Sequence, residues 1–418
     1  MAGLAPKSLN APVPVEDLAG MPPVVDRNNL YSETDAGHMS PATAGALSRV
    51  YVPEHGGNSM SVIDPVTLKV VDRFKVGRNP QHAVPSWDMK TIWVTNNSDV
   101  RHGRGSLTPI DPLTAKPGQN VPVSDPYNMY FMPDGSAAII VNEAGRRLDF
   151  RDPHTLALMY SVPTPECRGI NHADFSITGT YAIFSCEFGG SLVKIDLVGR
   201  KVVGTLKLST PSDPLNPGAL DANGKSAAPE QPSRQIRQPG RRHHGHVFMG
   251  HGSMRHNMPQ DVRVSPDGKV FYVADMMADG VFMVDGDTLS QIGFIPTGPG
   301  THGFCVSRDG LKLYVSNRGS HSMSRGHPGG PGSVTVIDFA TRNIEANWPI
   351  PGGGSPDMGN VSADGKQLWF SGRFDNMVYM FDTSSGTVTK INVGREPHGL
   401  TVWPQPGRYS LGHTGNLR

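Results

Sequence analysis

Short runs dominated by apolar, β-branched and aromatic residues recur along most of the chain, each bounded by turn-forming residues. RVYV, TIWV, AAII, YAIF, VFYV, KLYV and QLWF end at Val52, Val94, Ile140, Phe184, Val273, Val315 and Phe370. Behind each stands a second run that closes on aspartate, at Asp64, Asp111, Asp152, Asp196, Asp285, Asp338 and Asp382. The two series keep step at about 40 to 45 residues per unit, with two longer gaps that hold insertions. Within the unit that begins at Asp261, four β-rich stretches are separated by PDG, a Gly-containing loop and a DGDT turn, which predicts four antiparallel strands, A to D. A lone four-stranded sheet leaves a face uncovered, whereas repetition packs each sheet on the next around an axis. The expected fold is therefore all-β, a seven-bladed β-propeller over residues 47–404. PHGLTVW (397–403) reads as a strand A without B to D, and residues 48–76 read as B to D without an A. The C-terminal strand should complete the N-terminal blade and remove the free sheet edges. Outside the ring lie an irregular extension, 1–46, an insertion at 209–257 and a tail, 405–418. The extension is expected to wrap the outside of the ring or to pack on its loop-rich face.

The units VFYVADMMADGVFMVDGDT and KLYVSN…GSVTVIDFAT resemble the YVTN repeats of bacterial seven-bladed propellers of the surface-layer or YncE-like type, over about residues 47–404. The resemblance implies the fold. It implies little about activity, since related propellers include lactonases, a streptogramin lyase, haem d1 domains and copper oxidoreductases, and function resides in the site.

Composition narrows the classes. With 49 Gly and 37 Pro the chain is no helical bundle, and 37% hydrophobic against 18% charged residues is enough for a large core. A net charge of +1 leaves no broad basic face for nucleic acid. Arg234, Arg237, Arg241 and Arg242 are a local exception, suited also to steering a small anion. No apolar window is long enough to span a membrane, and no basic start leads into an apolar signal segment. The 3 cysteines cannot form a disulfide scaffold. Cys167 precedes strand A of blade 4 and Cys186 ends its strand B, so the two come close, either as free thiols or as a disulfide that implies an oxidising compartment. A periplasmic or secreted location is the expectation. Cys305, inside a strand, is expected to be a core residue.

In a blade the D-to-A and B-to-C connections emerge on one face, and here they carry the irregular insertions. Of the 16 histidines all but His38, His154 and the tail residue His413 fall on that face. Aligning the blades places His82, Asn128, His172, Asp261, His302, Asp357 and His398 at the channel mouth, with Gln81, Asn171 and Gln260 as alternatives one residue away. Four imidazoles and two carboxylates around one axis suit a borderline transition metal. The expected ligands are His82, His172, His302 and His398, with Asp261 and Asp357 as ligands or proton acceptors; Asp261, Asp357 and His172 are the candidate catalytic groups. Glu54, Asn96, Glu143, Glu187 and Asp275, where B-to-C loops begin, rank behind them. HHGHVFMGHGSMRHNM (243–258) adds His251, His256 and Met254, and His321, Met323 and His327 repeat that chemistry in blade 6. Thioether beside imidazole favours copper, with zinc, calcium or magnesium as alternatives. The structural readings are that strand-start histidines orient loops and that the His/Met loop binds metal adventitiously. The seven repeating aspartates are expected to cap turns.

Three functions stay open to the sequence. The first is a copper-binding propeller that is an oxidoreductase for a small or anionic substrate at the channel mouth. It resembles the propellers of nitrous oxide reductase and thiocyanate dehydrogenase, but lacks the former's cupredoxin-like Cys-rich domain. The second is a non-catalytic module that presents its loop-rich face to a ligand or protein partner. The third is a metal-assisted lyase or lactonase, with a histidine base and Mg²⁺ or Ca²⁺. No GxSxG, HExxH or strand-to-helix GxGxxG is present.

Overall fold

A computed structural model describes residues 16–97, 104–210, 257–321 and 331–418. The insertion residues His251, Met254 and His256, the four arginines ahead of them, and Met323 and His327 lie outside the described residues. Seven antiparallel sheets follow one another in chain order, and among the described residues the only helical pieces are three short 3₁₀ turns. Among the described residues no helix is long and apolar enough to cross a membrane.

The blades have the predicted strand order. In blade 4, Ile170–Phe175, Tyr181–Cys186, Ser191–Asp196 and Lys201–Lys207 are strands A to D. Blades 5, 6 and 7 begin with strands A at Pro259–Val264, Thr301–Val306 and Pro356–Val361. Blades 2 and 3 begin at Pro80–Pro85 and Pro126–Phe131. Blade 1 is the composite: Thr401–Trp403 pairs antiparallel with Arg49–Glu54, ahead of Ser59–Asp64 and Lys69–Lys75. The inner strands bury side chains on both faces, since each sheet is covered by its neighbours, while the outermost strands D stay partly exposed. Between blades 3 and 4, for example, Ile139 and Phe150 share one apolar cluster with Phe175 and Phe184.

The repeating aspartates act at the C-to-D turns. Asp64 accepts from the N–H groups of Val66 and Thr67, Asp152 from His154 and Thr155, Asp338 from Thr341, and Asp382 from Ser384 and Ser385. Asp111, Asp196 and Asp285 make the equivalent bonds to Leu113, Gly199 and Thr288. These bonds favour the charged carboxylate: Asp64, Asp152 and Asp338 are held below the usual range chiefly by them, and Asp382 first by the Ser384 hydroxyl and then by the Ser385 N–H.

The ends of the chain differ from expectation. The described part of the extension neither wraps the outside nor lies on the loop-rich face; it crosses the opposite, short-turn face. Leu18 N–H bonds the Thr178 carbonyl, Leu30 N–H that of Pro266, and Tyr31 Oη donates to the Val264 carbonyl at 2.7 Å. Short turns leave that face flat, and buried Leu30 and Tyr31 cover it. The tail, 405–418, enters the ring. Ser410–Gly412 and Asn416–Leu417 form a hairpin whose first strand pairs Gly412 with Tyr130, on the innermost strand of blade 3. Tyr409, Leu411 and Leu417 are buried, and Arg418 Nη2 bonds Asp174 at 2.7 Å inside the ring. The channel is therefore plugged from the short-turn side by the chain's own C-terminus.

Candidate metal centre

Each strand A opens with an irregularity that sets the site. In blade 2, Pro80 pairs with Asn96 and Ala83 with Val94, so two residues, Gln81 and His82, stand against Thr95 alone. Blades 4, 5, 6 and 7 repeat this bulge at Asn171–His172, Gln260–Asp261, His302–Gly303 and Asp357–Met358. A bulge re-aims side chains and leaves a backbone group without its ladder partner. In three blades a strand B hydroxyl takes that group: Thr95 Oγ1 accepts from His82 N–H at 3.1 Å, Ser185 Oγ from His172 N–H at 3.2 Å and Ser316 Oγ from Gly303 N–H at 2.8 Å. The candidate ligands thus sit on the bulges, next to the axis.

The bulges and the tail bring five imidazoles together. The His82 ring lies 5.3 Å from that of His172, 5.0 Å from His413 and 4.7 Å from His398, and His398 is 6.2 Å from His302. Two sets of donors converge closely enough to share an ion: His82, His172 and His413, and His302, Asp357 and His398. All six are buried. His82 approaches the composite blade so closely that a Cβ on Gly399 would stand 2.0 Å from its Nδ1, so only glycine fits there.

The hydrogen bonds fix the rings. His398 Nδ1 donates to the Gln81 carbonyl at 3.2 Å, which leaves Nε2 as a bare acceptor facing Asp357 Oδ2 at 3.6 Å. Asp357 Oδ2 is itself buried without a hydrogen-bond partner among the described residues. His302 Nδ1 lies 2.7 Å from Asp357 Oδ1 but is not aligned as a donor. Asn128 Oδ1 accepts from Met129 N–H, so its amide nitrogen faces Nδ1 of His172 at 3.2 Å and of His413 at 2.9 Å and donates to both. The His413 proton then belongs on Nε2, 3.4 Å from Asp261 Oδ1. Among the described residues neither ring nitrogen of His82 has a hydrogen-bond partner, nor does His172 Nε2.

Burial pushes the imidazoles toward neutrality. His82, His172, His398 and His413 are driven well below the usual range, first by desolvation and then by neighbouring positive groups, and His302 falls to about 4. Burial opposes the charge on Asp357, but the Arg318 guanidinium, whose Nη2 bonds it at 2.8 Å, and the two nearby histidines hold it well below the carboxylate range. Above the cluster the balance reverses: burial raises Glu187 and half-buried Glu143, and pushes Asp275 up to about 7 against the backbone N–H groups of Met258, Ala278 and Met277.

The four histidines and two aspartates read from the strand starts stand together around the axis, and two of the one-residue alternatives turn to another partner. Asn171 and Gln260 both donate to Glu187, at 2.9 and 3.2 Å. Asp261 has the place expected of a ligand, but its oxygens are already engaged by Arg263 at 3.0 Å and by the N–H groups of Val262 and Phe304. Glu54 is tied to Ser59, Ser61 and Gly394, and His321 pairs with Asp279 at the surface, so neither belongs to the cluster. Sequence reasoning missed His413, Arg318 and Tyr127, whose ring lies 5.5 Å from that of His82. The signal for His413 was the GHTG flanked by apolar YSL: at Gly412, with φ +96°, a Cβ would meet the Met129 carbonyl oxygen at 2.5 Å. Cys167 and Cys186 form a disulfide across the start of blade 4, and Cys305 is a buried free thiol.

Fold and site together define a seven-bladed β-propeller with a buried histidine-rich channel. Residues 251–406, which include blades 5 to 7, match the model of the YNCE-like beta-propeller family. No curated protein is similar in sequence at a significant level. Among solved structures the chain is similar to a putative 6-phosphogluconolactonase from Bacteroides uniformis, with TM-score 0.58 and 15% identity over 85% of this chain and 99% of that one. It is also similar to a Kuenenia stuttgartiensis hydrazine synthase chain, with TM-score 0.52 and 16% identity over 86% of this chain and 96% of that one. A third neighbour is the dihydro-heme d1 dehydrogenase NirN, with TM-score 0.53 and 13% identity over 92% of this chain and 78% of that one. At such identities the likeness is one of fold.

Proposed function

We propose that the channel is a transition-metal centre for one or two ions, held by His302, His398 and Asp357 and by His82, His172 and His413, and that the protein is an oxidoreductase acting on a small substrate there. The observation that carries this reading is the pair of bare acceptors, His398 Nε2 and Asp357 Oδ2, facing each other at 3.6 Å in a buried site. Two acceptors without a proton between them are unfavourable unless a cation joins them. The surrounding bonds are those that orient metal-bound imidazoles: the Gln81 carbonyl on His398 Nδ1 and the Asp261 carboxylate beside His413 Nε2. For His172 and His413 to offer Nδ1, the Asn128 amide has to swing aside. Asp261 then acts by orienting His413.

Imidazole with one carboxylate suits copper, zinc or iron rather than calcium or magnesium. Copper is the first candidate, supported by the methionine-rich sequence of residues 243–258. Bound there, it would supply one-electron chemistry in a site whose histidines are already deprotonated. Asp275, near neutrality on the loop-rich side, is suited to hold or release a proton. The Cys167–Cys186 disulfide supports a periplasmic or secreted setting.

The test is metal analysis of untagged protein after copper loading and desalting. One or two coppers per chain, lost in His82→Ala/His398→Ala and kept after deletion of 241–256, is the expected result. Full retention by the double variant would overturn the channel assignment.

A further inference from the structure

A buried arginine, Arg318, and a half-buried one, Arg373, lie beside the histidine cluster, and the cluster accounts for only part of what they offer. Arg318 follows strand B of blade 6, Lys312–Asn317, and Arg373 follows strand B of blade 7, Gln367–Gly372, so both stand where B-to-C loops leave the ring. Arg318 is 4% exposed. Its Nη2 bonds Asp357, its Nη1 reaches the Met276 sulfur at 3.5 Å, and its Nε is buried without a partner among the described residues. Arg373 makes no side-chain hydrogen bond among the described residues, and its Nη1 is likewise buried and unpartnered. Its charge acts on His82, His302, His398 and Tyr127, which places the guanidinium toward the channel.

From these donors we infer that Arg318 and Arg373 anchor a small monoanion, an oxyanion or carboxylate, beside the histidines, and that this is the substrate class of the centre. The substrate role rests on the metal reading above, whereas the anion site does not. Holding Asp357 takes only Arg318. Among the described residues the two guanidiniums carry two positive charges against the single carboxylate that bonds either of them, and each keeps a buried donor atom unpaired, which is costly. Glu187 faces the same region, but Asn171 and Gln260 donate to it and burial pushes its carboxyl upward, toward the neutral form, against the pull of the two arginines. A guanidinium presents a planar fork of donors that matches a carboxylate or oxyanion, so one monoanion satisfies both the orphan donors and the excess charge.

The test uses metal-stripped full-length protein in chloride-free buffer, titrated calorimetrically with nitrite and separately with formate. Saturable one-site binding is expected, weakened at least tenfold in Arg373→Gln and changed less than twofold in Arg395→Gln, an exposed arginine. Absence of saturable binding to the wild type, or equal affinity in Arg373→Gln, would overturn the proposal. If Arg373→Gln does not fold, Arg373→Lys serves, since it keeps the charge but loses the fork and should also bind more weakly. Without metal in the assay, failure of the copper reading leaves this outcome unaffected, and saturable binding by a chain that takes up no copper would uphold the anion site alone.

Discussion

His398 Nε2 and Asp357 Oδ2 stand 3.6 Å apart at the axis of the propeller, each without a proton to offer the other. The arrangement follows from bonds on the far sides of the two groups: the Gln81 carbonyl takes the His398 proton, and Arg318 keeps Asp357 ionised. Replacing Asp357 by Asn removes the charge, and the new amide can donate to His398. Copper content should fall by one ion per chain. The variant should also lose about 3 kcal/mol in urea unfolding, because Arg318 keeps its buried charge without a partner. Unchanged copper content would remove Asp357 from the ligand set.

Gly399 decides how close His82 comes to the axis. An added methyl would occupy the place of His82 Nδ1, so Gly399→Ala must push the ring aside. The expected cost is about 1 to 3 kcal/mol, typical of overpacking, with weaker metal binding at the His82, His172 and His413 set. Thermal unfolding and copper titration of the one variant test both effects.

The C-terminal hairpin contributes chemistry as well as closure. His413→Ala leaves the strand pairing of Gly412 with Tyr130 in place but removes one of three convergent imidazoles. Copper affinity should drop at least tenfold while the circular dichroism spectrum stays that of the wild type. An unchanged affinity would make the tail a plug only.

Acid should destabilise the metal-free protein. The buried histidines are neutral when folded, with values below 6.5, whereas unfolded histidines take up protons near 6.5. From about pH 6.5 down toward the folded value of about 4 for His302, the unfolded chain binds more protons, so stability falls as the pH falls. Each such group contributes up to about 1.4 kcal/mol per pH unit. The urea midpoint should be lower at pH 5 than at pH 7, and the slope flatter in His302→Gln.

The blade count, the composite first blade and the turn aspartates were legible because they repeat, and each repeat reports the same local chemistry. The channel positions of His82, His172, His302 and His398 were legible to within one residue. That remaining uncertainty has a physical source. Each bulge adds a residue that breaks the two-residue alternation, and the choice between Asn171 and His172 depends on Glu187, sixteen positions along the chain from Asn171. The hydroxyls of Thr95, Ser185 and Ser316 mark the bulges and could have been read from the repeats. His413 could not be placed from the period, because the tail has no counterpart in any blade and reaches the channel by a hairpin of its own. Arg318 and Arg373 were passed over because they follow the ends of strand B, where other blades carry acidic or neutral groups.

The most direct test is a crystal of copper-loaded protein examined by anomalous diffraction at the copper edge. A peak within bonding distance of both His398 Nε2 and Asp357 Oδ2, with or without a second among His82, His172 and His413, is the predicted result. Copper confined to residues 243–258, or a loaded crystal with no anomalous peak in the channel, would contradict it.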